Sequence, residues 1–167
     1  HGCSRRQRQM CIRDSPYNIS LFSALIAHHG VEWFEDYIVK LKANLSRKPQ
    51  GNDRDQVKAI YAGVCDVSIG NHYYYFKMMD DPNQIIWLEK VSPIFPNQDS
   101  YGSHVNISGI AIINNKNYDA SIDFLEFLLS EEAQKIYAND NNEFPVNVNV
   151  KASERVQALA NLSLIHI

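Results

Sequence analysis

Apolar positions recur with a helical period over much of the chain. Residues 18–30 (NISLFSALIAHHG) read as a helix closed by Gly30, a residue type favoured just past a helix C-terminus. In VEWFEDYIVKLKANL, residues 31–45, Phe34, Ile38, Leu41 and Leu45 fall at i, i+4, i+7 and i+11. That is one helical stripe, and Lys40 and Lys42 near its end suit the helix dipole. SRKPQGN, residues 46–52, is a loop punctuated by Pro49 and Gly51. Asp53 and Gln56 then make a capping-box-like start. Val57, Ile60 and Tyr61 supply the apolar face of this third helix, and Gly63 follows its end.

The pattern then shortens. CDVSIGN, residues 65–71, is partly β-branched and lies between Gly63 and Gly70, which predicts a buried strand. HYYYFKMM opens another helix. QIIWLEKVSPIF, residues 84–95, predicts a strand broken by Pro93, and HVNISGIAIIN, residues 104–114, predicts a second one with Gly109 inside. YDASIDFLEFLLS is an amphipathic helix through Ile122, Leu125 and Leu128. Ser130 caps a further helix, whose first turn carries Glu131 and Glu132. NEFPVNVNV is irregular, and KASERVQALANL predicts a last helix. Helices alternating with apolar strands argue an α/β fold.

Composition narrows the class. The 167 residues are 45% hydrophobic and 21% charged, enough apolar mass for a core and unlike a disordered chain. No run approaches the length of a membrane span. The net charge of −3 lacks the basic footprint of a nucleic-acid binder. Cys3, Cys11 and Cys65 are too few and too scattered to predict a disulfide framework or a cysteine zinc site.

Both ends look foreign to the rest. HGCSRRQRQMCIRDS, residues 1–15, holds four arginines and no apolar run, so it is not a secretory leader. This string and the terminal LSLIHI, residues 162–167, resemble translated adapter read-through. The expectation is a non-native tail at 1–15, a genuine body over 16–161 and a second foreign tail at 162–167. Without residues 1–15 the remainder carries 12 basic and 18 acidic side chains, a net charge near −6.

The least ordinary feature is Tyr73-Tyr74-Tyr75, at the point where the strand CDVSIGN gives way to a helix. In open α/β sheets ligands lie beyond the carboxyl ends of strands. Consecutive helical residues turn about 100° each, so at most two of the three tyrosines converge. A phenol near its ordinary pKa is a poor base, but on a hard cation it ionises to an anionic oxygen ligand. Ferric iron suits such donors. The competing reading is that the rings pack while their hydroxyls meet water.

Other chemistry is sparse. His28 and His29 diverge on a helix end and read as a C-terminal cap, His72 precedes the tyrosines, and His104 opens a strand. Asp53 and Asp55 read as helix-start residues. Cys65 reads as core. HExxH, P-loop, GxGxxG and GxSxG motifs are absent. With no catalytic set, the chain reads as a binder and not an enzyme.

The segment SRKPQGNDRDQVKAIYAGVCDVSIGNHYYYF, residues 46–76, resembles the ferric-iron-binding proteins of bacterial ABC transporters. So do FPNQDSYGSHVNISGIAI at 95–112, LEFLLSEEAQKIYA at 125–138 and NEFPVN at 142–147. The combination PQGNDxxQ, Asn-x-Tyr-Tyr, FPNQ, HVNISG and EFPVN is specific as a set. The resemblance implies the periplasmic binding protein-like II fold. Here that would be largely one lobe, a mixed sheet flanked by helices, with the N-terminal lobe incomplete. It implies ferric iron held in a cleft by phenolates, with Tyr73 and Tyr74 as a ligand pair and Tyr17 as a third. The family's Ser-rich run before that third tyrosine is replaced here by RDSPYN. The resemblance further implies a carbonate or phosphate held by Asn52 and Asn71, and remaining ligands from the other lobe. It also implies a monomeric periplasmic protein that delivers its cargo to an inner-membrane permease and neither binds nucleic acid nor enters the membrane. Other readings stay open: a homologue for a polyamine, an oxyanion or another metal, or a fragment that does not hold iron alone. An enzyme or sensor domain on the same fold would need a nucleophile or an acid/base pair near Tyr73.

Overall fold

The computed structural model describes residues 9–13, 15–113 and 116–159. The chain divides into two compact units, His1–Ile94 and Phe95–Ile167. The foreign-looking residues 1–8, Asp14 and 162–167 lie outside the described residues.

The first unit opens with a short strand β1 (Met10–Cys11), then α1 (Pro16–His29), α2 (Val31–Ala43) and α3 (Asp53–Tyr61). It continues with β2 (Val67–Ser68), α4 (His72–Met79) and a 3-10 helix over Ile85–Lys90. Strands β1 and β2 pair in parallel, Met10 opposite Val67 and Cys11 opposite Ser68. On the other side of β1, the Met10 N–H donates to the Asn44 carbonyl at 2.9 Å, and the Ser46 N–H donates to the Met10 carbonyl at 3.0 Å. Residues 9–12, part of the segment expected to be foreign, are thus hydrogen-bonded on both sides within this unit.

Local chemistry explains the helix limits. Ser15 caps α1, its Oγ accepting the Tyr17 N–H at 3.2 Å, and Pro16 occupies the first turn, where its missing donor costs nothing. The helix therefore starts two residues before the predicted position, and Tyr17 lies in its first turn. Gly30 ends α1 at φ 86°, a conformation that an L side chain resists. Asn52 and Asp55 form a full capping box on α3: Asn52 Oδ1 accepts the Asp55 N–H at 3.1 Å, and Asp55 Oδ2 accepts the Asn52 N–H at 2.9 Å. Asn52→Ala is expected to cost about 1 kcal/mol of stability, read as a lower midpoint in thermal or urea melts.

Aromatic contacts tie these helices. On α1 and α2, His29, Trp33 and Tyr37 stack in series, with ring centroids 4.2 and 5.1 Å apart. Lys58 on α3 lies 5.5 Å from the Trp87 ring centre, and Lys90 lies 5.0 Å from that of Tyr61. These two cation–aromatic contacts hold the 3-10 helix against α3.

The three cysteines predicted no disulfide, and the structure corrects this: Cys11 and Cys65 are bonded, with Cα atoms 5.9 Å apart. The parallel β1–β2 pairing brings together residues separated by 54 positions. Both cysteines are buried, beside Ala59.

The second unit contains α5 (Tyr118–Leu129), α6 (Glu131–Asp140) and α7 (Glu154–Leu159). Ser130 caps α6 as expected, accepting the Ala133 N–H at 3.3 Å. Gln134, buried on α6, donates to the Leu128 carbonyl at 2.8 Å and accepts the Val146 N–H at 2.9 Å, fixing the irregular stretch after α6.

Two predicted strands are not strands here. Residues 84–95 hold the 3-10 helix instead. Residues 104–113 make no ladder among the described residues, and Ile107, Ile110 and Ile113 are exposed. The described sheet is a single parallel pair, smaller than the mixed sheet expected.

Candidate functional site: a cluster of three tyrosines

Helix α4 begins after β2 and three intervening residues, so its first turn follows the carboxyl end of a strand. Its capping residue, Asn71, is extended, at φ −85° and ψ 135°. Tyr73 and Tyr74 follow on the first turn with ring centroids 4.5 Å apart. Tyr17 reaches the same place from the first turn of α1. The Tyr73 phenol interacts with the phenols of both Tyr17 and Tyr74. Phenols from two helices therefore lie within interaction range of one another. Tyr75 does not join them, and its hydroxyl donates to the Val91 carbonyl at 3.5 Å. Helical geometry allowed two of the consecutive tyrosines to converge, and the structure selects the first two.

Electrostatics at the cluster is lopsided. Burial, and then the hydrogen bonds with Tyr17 and Tyr74, raise the Tyr73 phenol well above its ordinary range. Left to itself, the Tyr73 phenol is neutral and protonated. Each ring nevertheless has a cation beside it. Arg13 lies 5.2 Å from the Tyr17 ring centre, Lys77 lies 5.7 Å from that of Tyr73, and Arg54 lies 5.7 Å from that of Tyr74. Negative charge developing on the phenols would thus be met by positive charge on three sides.

The asparagines differ in availability. Asn52 Oδ1 accepts the Arg54 and Asp55 N–H groups as the α3 cap. Asn71 donates its backbone N–H to Asp53 Oδ1 at 2.9 Å, and its side-chain amide lies 3.5 Å from the same oxygen. His72 sits edge-on to Tyr73, ring centroids 5.9 Å apart. His28 is at the end of α1 next to His29, and His104 lies 3.3 Å from Asn106 Oδ1 in the second unit. Among the described residues no three His, Cys, Asp or Glu side chains gather as a metal site. The tyrosine cluster is an oxygen-rich set of hard donors in the first unit.

Asp53 was read from sequence only as a helix-start residue. The structure gives it a second place. It is buried, forms an ion pair with Arg13, and holds the turn before α4. The signal for this was not local, since its partners lie 40 residues before it and 18 after it in sequence.

Residues 36–163 match the profile of a family described as bacterial extracellular solute-binding protein. Iron uptake protein A2 of Synechocystis sp. (strain ATCC 27184 / PCC 6803 / Kazusa) is 45% identical over 135 residues, covering 78% of this chain and 39% of that protein. The crystal structure of the apo ferric ion-binding protein A of Pasteurella haemolytica is 44% identical with a TM-score of 0.89, over 95% of this chain and 51% of the other. A Trichodesmium protein solved in complex with iron and citrate ligands is 36% identical with a TM-score of 0.87, over 97% of this chain and 53% of the other. The chain thus spans about two fifths of the curated relative and about half of each solved structure.

Proposed function

We propose that this chain, which belongs to the family of bacterial extracellular solute-binding proteins, supplies the tyrosine side of a ferric-iron site. Its fold is that of the type II periplasmic ferric-binding proteins. It is a binding protein and not an enzyme, as its relatives are. The observation that carries the iron reading is the meeting of Tyr17, Tyr73 and Tyr74 around the Tyr73 hydroxyl. Three phenolates offset the charge of a ferric ion, and hard anionic oxygen suits a hard cation. The Trichodesmium relative solved with iron and citrate supports the same cargo for this chain.

Binding replaces three phenol protons by one metal ion. The metal must displace the Tyr73 proton against its raised pKa, so binding releases acid, and acidification returns the cluster to its metal-free form. Affinity is expected to fall about ten-fold per pH unit for each phenol proton displaced. A titration in weakly buffered solution, followed by pH-stat, counts those protons.

Beside the metal, an anion of the carbonate, phosphate or citrate class completes the site. Asn71 contributes its side-chain amide and Asn52 its amide nitrogen, with Arg13 and Arg54 close by. The rest of the donors come from the half of the relatives that this chain does not match. The loaded protein works in the periplasm and hands iron to an ABC permease.

The test is a visible titration. Ferric citrate added to the chain is expected to produce a ferric–phenolate charge-transfer band that saturates at one equivalent. A colourless protein at equimolar iron would overturn the reading.

A further inference from the structure

We infer that Asp53 is a positioning residue for the tyrosine cluster, setting Tyr17 against Tyr73 and Tyr74 through two separate contacts. The inference rests on the tyrosine reading above. It concerns the alignment of two helices that share no sequence neighbourhood. Tyr17 rides on α1, and Tyr73 and Tyr74 ride on α4. Nothing in either helix dictates where the other one starts.

Asp53 touches the lead-in to both. Its Oδ1 accepts the backbone N–H of Asn71 at 2.9 Å, and Asn71 is the residue that begins α4. A Cβ on Gly70 would lie 3.1 Å from that same oxygen, so the carboxylate sits directly against the turn. On the other side Asp53 pairs with Arg13. Arg13 in turn is held to α1, because its carbonyl accepts the Asn18 side-chain amide at 2.6 Å and its guanidinium lies over the Tyr17 ring. One buried carboxylate thereby links the start of α1 to the start of α4.

Burial gives the link its stiffness. Asp53 is 3% exposed, and the Arg13 side chain 15%. A carboxylate and a guanidinium out of water hold their geometry because leaving it strands a charge. At the surface the same pair would be screened and loose. The carboxylate also sits at the first position of α3, where the helix dipole favours a negative charge. Its own position is therefore fixed by the capping box of α3, and α1 and α4 are both referred to that third helix.

The test combines one readout without iron and one with it. Photo-oxidative dityrosine cross-linking, mapped by mass spectrometry, scores how often Tyr17 meets Tyr73 or Tyr74. At a temperature where circular dichroism matches wild type, Asp53→Asn is expected to lose Tyr17 cross-links several-fold. Ferric affinity is expected to fall about ten-fold or more, as for loss of a group that orients metal ligands, with the charge-transfer band shifted. Ala59→Gly weakens α3 without touching these contacts and should keep the wild-type cross-link yield and band. If Asp53→Asn fails to fold, Gly70→Ala keeps every charge and presses the carboxylate away from Asn71, with the same losses expected. Unchanged cross-linking and unchanged affinity in a folded variant would overturn the inference. A wild-type protein without any ferric band would overturn the iron reading alone, and the cross-link yields would still decide the role of Asp53.

Discussion

Tyr73→Phe is expected to lower ferric-ion affinity by at least about 100-fold, the upper end of what losing even a supporting group costs a metal site. Most of the visible band should vanish with it. Tyr73 is the central phenol, interacting with both Tyr17 and Tyr74. Removing its oxygen takes one anionic donor from the metal and the phenol with which the other two interact. The ring itself stays, with its edge contact to His72 and the Lys77 ammonium beside it. Stability should therefore change little while binding collapses, a separation that a folding defect would not produce. Competition against citrate, followed at the band maximum, gives the affinity, and a thermal melt of the metal-free protein gives the stability. Equal iron affinity in the variant and the wild type would remove Tyr73 from the ligand set. Tyr17→Phe should bleach the band less, because Tyr17 is 38% exposed and lies at the edge of the cluster.

The second large effect is on folding. Breaking the Cys11–Cys65 bond, by Cys65→Ser or by reduction, is expected to destabilise the first unit by about 4 kcal/mol, the chain-entropy value for a loop of this size. The bond closes a loop between positions 54 apart. That loop contains α1, α2 and α3, hence Tyr17 and Asp53. A drop in melting temperature on the order of 20 °C follows for a unit of this size. Melts with and without reductant measure it directly, and coincident curves would show that the crosslink contributes nothing. Iron acts in the opposite direction. Ligand bound to the folded state adds stability by mass action, so ferric citrate should recover part of the loss.

The helices were legible in the sequence because their signals are local. Gly30, the Asn52–Asp55 box and Ser130 mark ends by side-chain chemistry within a few residues, and α1, α3 and α6 end or begin there. The candidate tyrosine cluster was legible for a similar reason, since a strand end followed by consecutive tyrosines is a compact pattern. What failed was whatever depends on a distant partner. IIWLEK looked like a strand, but short apolar runs do not distinguish strand from helix. Its conformation is settled by Lys58 and Tyr61 on α3. HVNISGIAII has strand composition, yet a ladder needs a neighbour, and the described residues supply none. Cys11 and Cys65 looked isolated until the β1–β2 register joined them. Asp53 has the same history: from sequence a helix start, in three dimensions the meeting point of Arg13 and Asn71.

The stack of His29, Trp33 and Tyr37 has a practical consequence together with the place of Trp87. The chain has two tryptophans, and both fall in the unit His1–Ile94. Tryptophan emission, excited beyond the tyrosine absorption, is therefore a private signal of that unit. A tryptophan-fluorescence melt follows the half that carries Tyr17, Tyr73 and Tyr74 and leaves the other half dark, while calorimetry sees both. Subtracting one trace from the other separates the unfolding of two bodies without a label. A ferric–phenolate chromophore would also dim Trp33 and Trp87 by energy transfer, so the same two indoles report the arrival of the metal.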